Sequence, residues 1–150
     1  MKTIKDLLYQ NPLYTVDVNA SVHEAVVYMA EKGIGLVPVL KDGKLHGVFS
    51  ERDLVKRVIA AGKDLHKTKV EEVMTTNLII SSVDEPYQSV LRKMTDARIR
   101  HILVIENSSL VGVLSMRDLL EIDVSAQKET VEVLNHYIYS KYSFDIEPNT

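Results

Sequence analysis

The sequence predicts a mixed α/β (α+β) fold: two β-α-β-β-α units packed as a pseudo-twofold pair, plus a C-terminal helix. Two observations carry this. Gly47-Val48-Phe49-Ser50-Glu51-Arg52-Asp53-Leu54 recurs as Gly112-Val113-Leu114-Ser115-Met116-Arg117-Asp118-Leu119, with six of the eight positions identical. Residues 16–54 and 81–119 align at that same offset of 65 (112 − 47) without a gap, and 11 of the 39 positions are identical. Such a repeat usually means that one unit cannot bury its apolar face without its copy. A chain of 150 residues suits two half-domains sharing a core.

The elements follow in order. Residues 15–18 are extended and lead into Ser21-Val22-His23-Glu24, a capping box that opens a helix. Val22, Ala25, Val26 and Met29 form its apolar stripe, and Gly33 ends it. Residues 36–40 and 45–49 are apolar strands, and Asp42-Gly43 between them signals a tight hairpin. Ser50 opens a second helix through about residue 61, with Gly62 as its stop. The second copy repeats this: 79–83 extended, a helix from Pro86 to 97, then strands 102–105 and 110–114.

The expected division is 1–62 for the first repeat (motif core 16–54), 63–70 for a polar connector, and 71–123 for the second repeat (motif core 81–119). Residues 124–150 would be a C-terminal helix and frayed tail. Ser125 can cap that helix, and Val131, Leu134 and Ile138 share a stripe expected to pack on the module itself, with a dimer interface as the alternative. Residues 143–150 show no pattern and are expected to fray.

Composition narrows the function. A net charge of −3 offers no electrostatic reason for a nucleic-acid partner or an anionic membrane. No cysteine is present, so disulfides, thiolate catalysis and zinc-thiolate sites drop out. Without a leader or a membrane-length apolar run, a soluble cytoplasmic protein is expected. His23, His46, His66 and His136 share no ligand motif, so no metal site is expected. No nucleophile elbow, Walker A segment or Gly-x-Gly-x-x-Gly occurs, so no catalytic residue is assigned and the chain reads as a non-enzyme.

The recurring motif holds the remaining chemistry. A strand ending in Ser50 at a helix N-terminus directs backbone N–H groups toward an anion. Asp53, three positions on, is an acceptor-only carboxylate suited to the two hydroxyls of a ribose. Gly47 lets a ligand or a neighbouring backbone approach closely, and Gly112, Ser115 and Asp118 repeat the arrangement. A capping box gives the same Ser-x-x-Asp pattern with no ligand, and taken alone the motif favours that reading. Arg98 and Arg100 would share one face of a strand, with His101 on the other. Arg100 fits a phosphate ligand, while Arg98 reads as a solvated residue leading into the strand.

Two units each ending in Gly-Val-[Phe/Leu]-Ser-x-Arg-Asp resemble a tandem pair of cystathionine-β-synthase (CBS) domains, a Bateman module, of the stand-alone bacterial type. Gly33-Ile34-Gly35-Leu36-Val37-Pro38-Val39, Arg98-Ile99-Arg100-His101-Ile102-Leu103-Val104 and Val73-Met74-Thr75 add to the likeness, which covers residues 1–123. Leu103 departs from the family's usual proline, present as Pro38.

The resemblance implies crossed sites between the repeats. One would combine Ile79, Ile80, Arg100 and His101 with Ser50, Arg52 and Asp53. The other would combine Thr15, Val16, Gly35 and Pro38 with Ser115, Arg117 and Asp118. The second has Gly35 and Leu36 where the first has Arg100 and His101, so it is the weaker or empty one. The implied function is a non-catalytic regulatory, signal-transduction module without a cofactor. Its regulatory ligand would be an adenine nucleotide or related adenosyl compound (AMP, ADP, ATP or NAD), and a separate, unidentified effector protein would read the bound state. The implied assembly is a homodimer of four repeats. The alternative is a ligand-free dimerisation or docking module.

Overall fold

A computed structural model of the chain describes residues 4–142, with backbone alone at 137 and 139–142. Two three-stranded sheets repeat one plan. β1 (Val16–Asp17) pairs parallel with β2 (Leu36–Lys41), which pairs antiparallel with β3 (Lys44–Ser50). β4 (Ile80–Ser82), β5 (His101–Glu106) and β6 (Ser109–Ser115) do the same. Even the register shift recurs, at Val39/Leu40 and at Val104/Ile105. Both hairpins turn through paired left-handed residues, Asp42 (φ 51°) with Gly43 (φ 77°) and Asn107 (φ 51°) with Ser108 (φ 63°), the geometry that matches strand twist.

The helices are α1 (Ile4–Gln10), α2 (Val22–Lys32), α3 (Glu51–Asp53), α4 (Tyr87–Ala97) and α5 (Met116–Tyr142). The capping box of α2 is formed: the Glu24 N–H donates to Ser21 Oγ (3.0 Å) and the Ser21 N–H to Glu24 Oε2 (3.2 Å). Gly33 closes α2 at φ 66°. At the equivalent end of α4 the left-handed residue is Arg98, at φ 56°, a conformation that costs a non-glycine residue about 1–2 kcal/mol.

Each sheet has its own core, and each core borrows from the other half of the sequence. Val22, Val37, Val39 and Phe49 are completed by Val70 and Val73, from the segment leading into the second repeat. Met94, Ile102, Leu114 and Leu119 are completed by Ile4 and Leu7 of α1. The polar connector is therefore pinned down: the Val22 N–H donates to Thr68 O (2.9 Å) and the Val70 N–H to Ala20 O (2.8 Å). Val48 and Thr75 exchange N–H···O bonds of 2.9 and 2.8 Å. Gly47 makes that contact possible, since a Cβ there would stand 2.6 Å from Met74 Sδ and 2.8 Å from the Thr75 oxygen.

Two expectations fail, Ser125 as a cap and the packing of the C-terminal stripe, and one is refined. The helix opened by Ser50 becomes π-helical over Leu54–Ile59, where the Ala60 N–H reaches back five residues to Val55 O (2.9 Å). Ser125 caps nothing, because α5 runs unbroken through it; no glycine or proline precedes it to stop the helix. Leu119 and Ile122 anchor the first turns of α5, and from residue 127 every described side chain is exposed. Val131, Leu134 and Ile138 thus stand 54%, 55% and 46% exposed instead of packing on the module. The stretch 143–150, expected to fray, lies outside the described residues.

Candidate functional site

Two clefts open between the repeats. The first, of about 360 Å³, brings Ser50, Arg52 and Asp53 from the end of β3 against Ile79, Arg100 and His101 from the other repeat. The second, of about 430 Å³, brings Ser115 and Asp118 against Gly35 and Pro38. The crossed pairing of half-sites is thus present in the geometry.

Three residues fall outside because the clefts are lined by the residues just before β1 and β4 and not by the strands themselves. Ile80 points away from the first cleft while Ile79 lines it; in the second, Tyr14 takes the place expected of Thr15 and Val16. Val16 instead packs against the first core. Arg117 turns to solvent, its side chain 90% exposed and 3.8 Å from Glu121. Tyr14 sits 65 positions before Ile79, so the repeat offset itself could have found it.

The motif carboxylates are committed to different degrees. Asp53 is buried. Its Oδ2 accepts from the Ser50 N–H and the Ser50 hydroxyl (both 3.0 Å), and its Oδ1 from the Thr75 hydroxyl (2.9 Å), with Arg57 Nε at 3.5 Å. A carboxylate offers about four acceptor positions, so these contacts nearly saturate it. Asp118 is only half-buried. Its Oδ2 accepts from the Ser115 N–H (2.8 Å) and from Asn11 Nδ2 (3.4 Å), while among the described residues no donor meets its Oδ1. The helix ends are also less open than the sequence suggests. The Glu51 N–H donates to Gly35 O (3.0 Å) and the Met116 N–H to Arg100 O (2.7 Å).

Charge distinguishes the clefts further. Arg98 is not a strand residue, because β5 begins at His101; as the left-handed cap of α4 it lines the first cleft beside Arg100. Glu51 lines that cleft too, and its carboxylate occupies the space a Cβ on Gly35 would contact at 3.3 Å. In the second cleft, Lys32 supplies a cation the sequence reading missed, its Nζ 5.2 Å from the Tyr14 ring centroid. His101 lines both clefts. Burial pushes its imidazole below the ordinary histidine range; the carboxylates of Asp118 and Glu51 oppose the shift, and Arg100 adds to it.

Among the described residues no cluster of three or more His, Cys, Asp or Glu side chains is placed to hold a metal ion. His23 and His66 do approach each other, with ring centroids 4.3 Å apart. No described helix is long and apolar enough to cross a membrane.

The CBS domain family profile matches this chain twice, over residues 4–60 and 70–125. The CBS domain-containing protein CBSX3, mitochondrial, of Arabidopsis thaliana is 33% identical over 127 residues; the alignment covers 81% of this chain and 62% of that protein. The CBS domain-containing protein YhcV of Bacillus subtilis is 30% identical over 119 residues, with 79% of this chain and 84% of that protein covered. The CBS domain pair of protein MJ0100, solved in complex with 5′-methylthioadenosine and S-adenosyl-L-methionine, superimposes with a TM-score of 0.71 at 28% identity, covering 84% of this chain and 98% of that one. With both profile matches falling on the two halves that share crossed cores and crossed clefts, the chain belongs to the CBS domain family, as a tandem CBS pair, a class of regulatory module.

Proposed function

We propose that this CBS pair is a cytoplasmic, non-catalytic sensor that binds an adenine nucleotide or related adenosyl compound between its repeats. Binding shifts the relative orientation of the repeats, and a separate effector protein reads the shift. One observation carries the reading: Arg98, Arg100 and His101 converge on the end of β3, bearing Ser50 and Asp53, in a single cleft. Three arginines, Arg52, Arg98 and Arg100, outnumber the carboxylates of Glu51 and Asp53 in this cleft, which suits a phosphate-bearing ligand such as AMP, ADP, ATP or NAD. The second cleft, with Lys32 as its cation and a freer Asp118, suits an adenosyl ligand of low charge. MJ0100 supports the class, since that pair is solved with two adenosyl compounds.

A homodimer of four repeats fits the exposed apolar residues Val55, Ile59, Leu120 and Val124, which occupy equivalent positions 65 apart. The ligand-free docking alternative draws on a specific observation too: both Ser/Asp boxes close on themselves without a ligand.

A calorimetric panel of AMP, ADP, ATP, NAD, 5′-methylthioadenosine and S-adenosylmethionine decides between them. A phosphate-bearing member should bind wild type, and Arg100→Ala should weaken it at least tenfold while preserving the fold. No binding by any member of the panel would leave the docking reading standing.

A further inference from the structure

α5 continues well past the second repeat, and its exposed stripe has a definite period. Val124, Val131 and Ile138 are spaced by seven residues, and so are Leu120, Gln127 and Leu134. Together these are the a and d positions of a heptad repeat. The described a positions from 124 onward are all β-branched, and two of the three d positions are leucine, the combination that favours two parallel strands. All five apolar members are at least 45% exposed, so nothing in the single chain covers the seam.

Charge selects the occupant. In a parallel pair, the g residue of one helix meets the e residue of the next heptad on its partner. Here that places Asp123 opposite the partner's Lys128. Among the described residues Lys128 has no acidic partner, while Asp123 bonds only to uncharged groups, Gln127 Nε2 (3.0 Å) and the Tyr87 hydroxyl (3.4 Å). In register, Gln127 faces the partner's Gln127, where two amides can hydrogen-bond each other. A polar pair at one seam position fixes register at some cost in stability.

We propose that residues 120–138 of α5 pair with the same segment of a second copy of this chain as a parallel, in-register, two-stranded coiled coil. The contact is independent of any ligand between the repeats.

The absence of cysteine from the chain makes the test clean. Gln127→Cys and Leu134→Cys, made separately in the full chain, should each convert to disulfide-linked dimer under mild oxidation. Glu129→Cys, on the outer face of the same helix, should stay monomeric on a non-reducing gel. An antiparallel pair could cross-link at most one of the two seam positions to itself, so failure of either, or equal cross-linking at Glu129, overturns the proposal. Leu134→Glu should weaken self-association at least tenfold by sedimentation equilibrium while leaving the melting of the module unchanged, since Leu134 touches no core. Unaltered self-association also overturns it, and would leave the stripe to a different protein.

Discussion

Gly47 and Gly112 occupy the same place in the same repeated motif, yet the structure assigns them very different costs of substitution. A Cβ on Gly47 meets Met74 Sδ at 2.6 Å and the Thr75 carbonyl oxygen at 2.8 Å. The oxygen cannot retreat cheaply, because Val48 and Thr75 are held by two backbone bonds of 2.9 and 2.8 Å. Overpacking of this kind costs about 1–3 kcal/mol, and weakening those bonds adds about 0.5–1.5 kcal/mol each. Gly47→Ala should therefore lose roughly 2–6 kcal/mol. At Gly112 the first obstacle is the end of the Leu8 side chain, which can change rotamer, so Gly112→Ala should lose no more than about 1 kcal/mol. Urea unfolding of both variants, with wild-type m-values confirming two-state behaviour, measures the difference. Equal losses within about 0.5 kcal/mol would refute the claim that Thr75 is wedged under the first repeat, and with it the account of how the two halves are tied together.

Arg98→Gly relieves the left-handed strain at the end of α4, so it should raise stability by about 0.5–1 kcal/mol in chemical denaturation; the same change should weaken a phosphate-bearing ligand by calorimetry, opposite in sign to its effect on stability. His101 titrates below the ordinary histidine range because it is partly buried, so the unfolded chain takes up its proton first: stability is full above the ordinary range and falls as pH drops through it toward the folded value. An anion in the first cleft favours the imidazolium, so its affinity should rise over that same window, and His101→Gln should abolish both trends in urea melts and calorimetry. Lys93 Nζ donates to Ile80 O (2.9 Å), Ser81 Oγ (3.1 Å) and Glu85 Oε2 (3.0 Å), and with both charged side chains about a third exposed, Lys93→Met should cost about 1–2 kcal/mol. Burial, the largest influence on the Glu85 carboxyl, would raise it, but the Lys93 bond and charge together with the Ser82 N–H and the Ser81 hydroxyl outweigh it and hold it low; in the variant, carboxyl-resolved NMR should show it titrating higher, and the part of the acid loss of stability that comes from Glu85 should shrink.

The plan of the fold was legible because it rests on local signals. Ser21 with Glu24, Gly33, and Asp42-Gly43 each announce an element through their own backbone chemistry, and duplication at an offset of 65 checked each one. What escaped depends on contacts between distant segments. Nothing local says that Ile4 packs beneath the second sheet, or that Thr75 donates to Asp53. The errors at Ile80, Thr15 and Val16 have one origin: β1 and β4 are only two and three residues long and begin after the residues that line the clefts, Tyr14 and Ile79, so their bounds are set by pairing with β2 and β5 and not by a local signal. The π-helical run over Leu54–Ile59 has no sequence signature in its Leu-Val-Lys-Arg-Val-Ile stretch. Arg98 was misassigned because arginine is an unusual helix stop, yet its alignment with Gly33 was already visible.

The departures from symmetry between the clefts point in one direction. The first cleft gathers Arg52, Arg98 and Arg100, but its Asp53 is held by Ser50, Thr75 and Arg57. A ribose hydroxyl arriving there must displace a bond already made, at about 0.5–1.5 kcal/mol for each neutral one lost. In the second cleft no donor among the described residues meets Asp118 Oδ1, and the cation, Lys32, lies near aromatic rings. If the clefts bind the ligands proposed above, the first would gain discrimination from charge and the second from the nucleoside. His101 lines both, so a ligand that changes its protonation in one cleft changes the electrostatics of the other. Coupling between two unlike sites needs only that shared side chain and the bonds that join Val48 to Thr75.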